Sequence, residues 1–392
     1  MSAILHNLFG EYRAIFRDKG VLLIFLGGLI IYTMYYPLPY SGEVLKELPV
    51  VPVDLDDSAL SRKLMNWADG AEQVALVYPT RNLVEARRRV LMGEASGVFL
   101  IPEDFEEDVL RGEQAAVSVY ADASYFLIYR QILTGLYSAS ATLSAGIEIK
   151  RLTAAGYGTQ HAMAARDPVM LDTRPLFNPA SGYATYIVPG VLVLIMQQTL
   201  LIGIGMLGGT RNERWGGAGP VGQESYLAVL IGRGAAYFSI YILYPVFYYC
   251  VVFPVFDLPW RAGMIDVLIF LTPFVLAVVF LGLTLSVFLR SRELSIPVLI
   301  FTSLPAVFLM GFAWPAQAIP MWLRQLALVL PSTPGVLGFI RLNQMEASLQ
   351  QVRYEWFQLW GLCFLYFLLA WVAMHQRPSA KPRPHPYLPE TE

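Results

Sequence analysis

Each of the five lysines, Lys19, Lys46, Lys63, Lys150 and Lys381, follows a residue other than glycine, so the chain has no G-x-x-x-x-G-K-S/T loop to cradle the phosphates of a nucleotide. It has no G-x-S-x-G nucleophile elbow and no H-E-x-x-H zinc pair either. His6, His161, His375 and His385 are scattered, and Cys250 and Cys363 both sit in apolar runs, which excludes a cysteine-built metal site and a disulfide frame. The acids Glu103, Asp104, Glu106, Glu107 and Asp108 lack the alternating oxygen ligands and turn glycine of a calcium loop. Following Pro102, they suit the first turn of a helix, where acids face the positive end of its dipole. Arg87, Arg88 and Arg89 read as the wet face of another helix. Catalytic chemistry is absent from these patterns.

What remains is a polar pair in an unusual place. Gln197 and Gln198 lie inside the longest charge-free run of the chain, from 175 to 210. Two readings stay open for them: an interhelical hydrogen bond, or the lining of a substrate path at a subunit interface. Their setting is set by composition. Of 392 residues, 56% are apolar and only 15% charged, against about 25% charged in soluble domains, and the mean hydropathy is +0.49. The formal charge of −2 gives no basic surface for nucleic acid.

A charge at the bilayer centre costs about 2.5–3.5 kcal/mol even on the mildest scale, so runs of roughly 20 uncharged residues mark membrane spans. Such runs place six spans near 20–36, 183–209, 227–253, 265–289, 296–313 and 356–375. Residues 131–147 are uncharged but too rich in Ser and Thr to face lipid. The apolar run 325–340 is cut by Pro331 and Pro334 and is short, which predicts a re-entrant hairpin over Pro320–Met345, or 314–345 with its approach. Its apolar residues Phe312, Trp314, Trp322 and Leu330 form a candidate outer gate, with interfacial anchoring as the alternative. Arg233 and Asp266 lie near span ends, where snorkelling accounts for them.

With the N-terminus inside, the inner segments hold Arg13, Arg17, Lys19, Arg211, Arg214, Arg290, Arg292, Arg377, Lys381 and Arg383. The outer ones hold Arg261, Arg324, Arg341 and Arg353, so the positive-inside rule predicts that both termini are cytoplasmic. The first apolar run is followed by Tyr35-Tyr36-Pro37 without a small-x-small cleavage site, which predicts an uncleaved anchor. Ahead of it, in 1–19, Ile4, Leu5, Leu8, Phe9, Tyr12, Ile15 and Phe16 recur at helical spacing opposite His6, Glu11 and Arg13. That pattern predicts an amphipathic helix along the inner surface, or else an extension of the first span.

Between the first two spans, residues 37–182 carry 19 acids and 13 bases, whereas the rest of the chain is net positive. Short apolar strands at 50–53, 74–78, 97–101 and 117–120 alternate with helical patterns, which predicts an independently folded external α/β domain. The fold class is thus a polytopic α-helical membrane protein, with six transmembrane helices, an external α/β domain between helices 1 and 2, and a re-entrant hairpin between helices 5 and 6. The bundle, 183–376, contains an inner loop at 210–226, and the tail 377–392 is proline-rich. Acids and histidines that could couple transport to an ion gradient are nearly missing from the spans, so an external motor becomes the expected energy source.

The stretches VDLDDSALSRKLMNW (53–67), GEASGVFLIPEDFEEDVLRG (93–112), FNPASGYATYIVPGVLVLIMQQTLL (177–201) and FLMGFAWPAQAIPMWLRQLALVLPSTPGVLGFIRLNQM (308–345) resemble segments of the permease subunits of type-2 ABC exporters of the long-external-domain kind. The resemblance runs over nearly the whole chain. It implies a second permease subunit, as homodimer or heterodimer, and a separate cytoplasmic ABC ATPase subunit that binds the ATP, with no cofactor or enzymatic site in this chain. It also implies a bacterial inner (cytoplasmic) membrane location, a periplasmic adaptor protein as partner, and efflux of drugs or other amphiphiles. The family's E-R-E-x-G-T-x-E-Q-L-L segment, a short helix pressed against the ATPase, is matched here by Arg211, Glu213, Arg214, Gln223 and Glu224, with Gly216-Gly217-Ala218-Gly219-Pro220 in place of helix formers. A helix starting after Pro220, a weakly coupled subunit and an ordinary loop stay open there. A membrane-anchored sensor or scaffold with a ligand-binding external domain is the alternative function; it needs neither five consecutive spans nor a hairpin.

Overall fold

Among the residues that the computed structural model describes (1–169, 171–215 and 225–376), six helices are long and apolar enough to cross a membrane. They are Lys19–Tyr40, Tyr183–Trp215, Tyr226–Val255, Met264–Ser286, Arg292–Leu309 and Arg353–Gln376, here the first to sixth spans. A further pair, Met321–Ala327 and Ser332–Gln344, is bent by 83° between its two halves. The protein is therefore a mostly helical, polytopic membrane protein. The second span is buried almost throughout; the first, third, fourth and fifth spans pack against it, while the sixth packs on the fourth. Small residues permit this: a Cβ on Gly203 would overlap the Phe25 ring, and one on Gly209 would meet the Ser291 carbonyl at 2.5 Å.

Proline inside a span removes an N–H and frees the carbonyl four residues earlier, which lipid cannot satisfy. Two such carbonyls are taken up by side chains from other elements. Pro189 frees Thr185 O, which accepts from Gln344 Nε2. Pro273 frees Ile269 O, which accepts from Trp356 Nε1 at 3.1 Å. The kinks thus become ties between spans.

Residues 44–174 form a second compact unit. Its strands are β1 (Leu48–Asp54), β2 (Val74–Leu76), β3 (Gly97–Ile101) and β4 (Ser118–Ala121), in the order β2-β1-β3-β4, with only β4 antiparallel to its neighbour. Alternate residues serve opposite faces. Val50, Phe99 and Ile101 pack against Ala59–Asp69, Phe105–Arg111 and the long helix Phe126–Ala154, whereas Val51, Val53 and Val98 pack against Leu83–Leu91. Both faces are covered, which explains strands that read as unbroken apolar runs. The acid cluster sits at the start of Phe105–Arg111, as helix-start residues do, and Arg89 bridges Glu85 and Glu94 at 3.0 Å each.

The unit is narrower than the 37–182 that composition marks. Glu43 carries the reason: its backbone carbonyl accepts from Tyr183 N at 2.8 Å, and its carboxylate accepts from Thr185 N and, at 2.6 Å, from Thr185 Oγ1. Residues 37–43 and 175–182 therefore belong with the bundle, where Glu43 caps the second span.

Candidate functional site

One group of the bundle's charges gathers where the N-terminal helix meets the spans. Helix Ser2–Arg17 lies against the third span, and Gly232 makes the approach possible, since a Cβ there would meet Ile4 O and Asn7 Cβ at 2.7 Å. This helix buries Ile15 and, with it, Glu11. The carboxylate of Glu11 accepts from Arg211 Nη2 at the end of the second span and from Tyr237 OH on the third, and Arg233 Nε lies 3.4 Å away. Burial alone pushes the Glu11 carboxyl up. The charges of Arg211 and Arg233, with the hydrogen bonds from Arg211 and Tyr237, outweigh it and hold the carboxyl below the usual carboxylate range.

Two turns beyond Glu11, Asp18 caps the first span by accepting from Gly20 N and Val21 N, both at 3.1 Å. The same carboxylate binds Arg292, at the start of the fifth span, through both terminal nitrogens. The Arg292 hydrogen bond is the largest influence on it and, against partial burial, holds the Asp18 carboxyl below its usual range. Arg292 N donates to Glu213 Oε1 at 3.1 Å, and Asn212 Nδ2 reaches the carbonyls of Ser286 (2.8 Å) and Leu289 (2.6 Å) that end the fourth span. Three acids and three arginines thus join the N-terminal helix to the first, second, third and fifth spans, and Asn212 adds the end of the fourth.

Two sequence readings are corrected here. Glu11 is not on a wet face, and Arg233 does not snorkel: both are buried and face each other, because a buried carboxylate is tolerable only beside cations and donors. Arg211 likewise points inward, while Glu213 and Arg214 are exposed; Gln223 and Glu224 lie outside the described residues. A stripe the sequence reading passed over is Tyr237, Tyr241, Tyr244 and Tyr248. All are buried, and their hydroxyls reach Glu11, Thr199 Oγ1 (3.1 Å), Phe25 O (2.5 Å) and Leu192 O (3.2 Å). Their four-three-four spacing marked one face of the third span, directed at the first two.

At the other candidate positions, the rings of Trp314 and Trp322 are exposed, whereas Phe312 and Leu330 pack on the bundle core. The Phe312 ring lies against Gly190, and its carbonyl accepts from Tyr186 OH. Gln197 is fully inside the bundle, and neither its Oε1 nor that of Gln198 has a hydrogen-bond partner. In the inserted unit, an open groove of about 700 Å³ runs beside Leu133, Tyr137 and Ala141 of the long helix, with Arg166 at its edge. No group of His, Cys, Asp and Glu that could hold a metal occurs among the described residues.

A family model described as ABC-2 family transporter protein matches residues 19–372. No curated protein matches the chain.

Proposed function

This chain belongs to the ABC-2 transporter family as a permease subunit, and we propose that it moves an amphiphilic or drug-like molecule outward, using ATP hydrolysed by a separate cytoplasmic subunit. In this reading residues 44–174 lie outside, in the periplasm, and both termini lie in the cytoplasm, as the distribution of Lys and Arg supports. The protein works in a bacterial inner membrane, paired with a second permease subunit and assisted by a periplasmic adaptor. The bent pair Met321–Ala327 and Ser332–Gln344 is a re-entrant hairpin on the outer side.

The observation that carries the reading is the charged node around Glu11 and Arg292. A motor on the cytoplasmic side acts only through segments exposed there, and the N-terminal helix and the loop 210–226 are both fastened to this node. Arg211 serves as the internal anchor, so Glu213, Arg214, Gln223 and Glu224 are left to meet the ATPase. A push on the loop reaches the first, second, third and fifth spans together, which is what switching a bundle between two arrangements requires.

The test is co-purification with a cytoplasmic ABC ATPase subunit from the same organism, followed by ATP hydrolysis in lipid nanodiscs. Reversing Glu213 and Glu224 to lysine is expected to abolish the association while the chain still inserts. Wild-type association and transport in that double variant would place the contact elsewhere, and ATP turnover by the isolated chain would overturn the permease reading.

A further inference from the structure

Among the described residues, four of the six buried side-chain N or O atoms without a hydrogen-bond partner belong to Gln197, Gln198, Ser332 and Thr333. Three of these residues are closed off almost completely: Gln197 is 2% exposed, Ser332 0% and Thr333 6%. Buried polar atoms are nearly always paired, so such a concentration is informative.

The two pairs sit at one depth. Helix Ser332–Gln344 packs along the second span, and Gln344 is fixed to Thr185 at one end of the contact. Ser332 lies twelve residues from Gln344, and Gln197 lies twelve residues from Thr185. At 1.5 Å per residue both are about 18 Å from that tie. The helix also runs antiparallel to the fourth span, where Gly338 lies against the Phe270 ring and Gly335 against Phe274. The N-terminal end of a 13-residue helix, with its positive dipole, thus lies level with two carboxamides inside one subunit.

We propose that this layer recognises a neutral hydroxyl or amide group on the transported molecule, a reading that rests on the permease assignment. The carboxamide oxygens accept only, so the ligand must donate. The Ser332 and Thr333 hydroxyls at a helix N-terminus favour a group that also accepts. A cation would donate but would face the positive helix end, and no acid or base occurs in 175–210 or 325–340 to neutralise either sign of charge. The substrate class is therefore an uncharged amphiphile with a polar group that both donates and accepts.

The test uses the full chain alone in lipid nanodiscs and two photoprobes: a twelve-carbon primary alcohol with a diazirine beside its hydroxyl carbon, and the same chain lacking the hydroxyl. Crosslinked positions are read by peptide mass spectrometry. The alcohol is expected to label peptides containing 197–198 and 332–333 about tenfold more than the hydrocarbon does. Ser332→Ala with Thr333→Val, close in shape to the native residues, should remove that preference; Gln197→Met should do the same. Equal labelling by both probes, labelling elsewhere only, or an unchanged preference in a monodisperse Ser332→Ala, Thr333→Val protein overturns the proposal. Because no ATPase takes part, failure of the permease reading would appear separately, in the co-purification.

Discussion

Asp18 and Arg292 are 274 residues apart in sequence, yet the carboxylate that caps the first span is the one that grips the guanidinium opening the fifth, with Arg292 Nη2 at 2.7 Å from Asp18 Oδ1. Two spans that share no loop therefore begin from a single charge pair, and the N-terminal helix ends on it.

The neighbouring pair is deeper. Replacing Glu11 by leucine leaves Arg211 and Arg233 buried without their carboxylate, which is expected to cost about 3–5 kcal/mol. Thermal unfolding of the detergent-solubilised protein should show a marked loss. Glu11→Gln, which keeps the hydrogen-bonding shape, should lose less, and equal losses would mean that the charge is immaterial.

The node also sets an acid limit. Glu11 and Asp18 are held below their ordinary values of 4.5 and 3.8, so their contribution is complete above those values and disappears as pH falls through the lower, folded ones. Stability should be flat from neutral pH to about 5 and drop below about 4. In Asp18→Asn with Glu11→Gln that drop should shrink, as measured by the unfolding temperature across pH.

Trp356 and Pro273 offer a cycle with an unusual sign. Trp356→Phe leaves Ile269 O unpaired on a face of the span where lipid offers no donor, a loss of about 1–3 kcal/mol. In a Pro273→Ala background, the alanine supplies its own backbone N–H to that carbonyl, so the same Trp356→Phe change should cost clearly less. Additive losses would show that the ring, not its N–H, matters.

Gly232→Val should lift the N-terminal helix from the third span, because the added carbons meet Ile4 O and Asn7. Cleavage by trypsin at Arg13 and Arg17, both on the exposed side of that helix, should then be about tenfold faster.

Topology is checked with single cysteines in a chain whose Cys250 and Cys363 have been replaced by alanine. Arg88→Cys and Arg214→Cys should react with an impermeant maleimide from opposite sides of sealed vesicles. Labelling from one side would remove the external placement of 44–174.

The spans were legible because lipid forbids charge over about 20 residues, a constraint written in the local sequence. The strands of the insert were legible for a similar local reason, as short apolar runs between turns and helices. Glu11 was not. On its own helix it falls beside His6 and Arg13, and what draws it inward is Arg211, 200 positions away. The width of the insert escaped for the same reason, since nothing near Glu43 announces that its partners are Tyr183 and Thr185. Gln197 and Gln198 stood out because polar residues in a charge-free run are conspicuous, whereas Ser332 and Thr333, between Pro331 and Pro334, carried no such signal.

The clasp of Glu43 on Tyr183 and Thr185 has a consequence for engineering. The bundle's chain is tied across residues 43 and 183–185 by contacts that use nothing from 44–174. Residues 44–174 can therefore be exchanged as a cassette. A short Gly-Ser bridge from Glu43 to the residues before Tyr183 should leave a bundle that still folds and inserts.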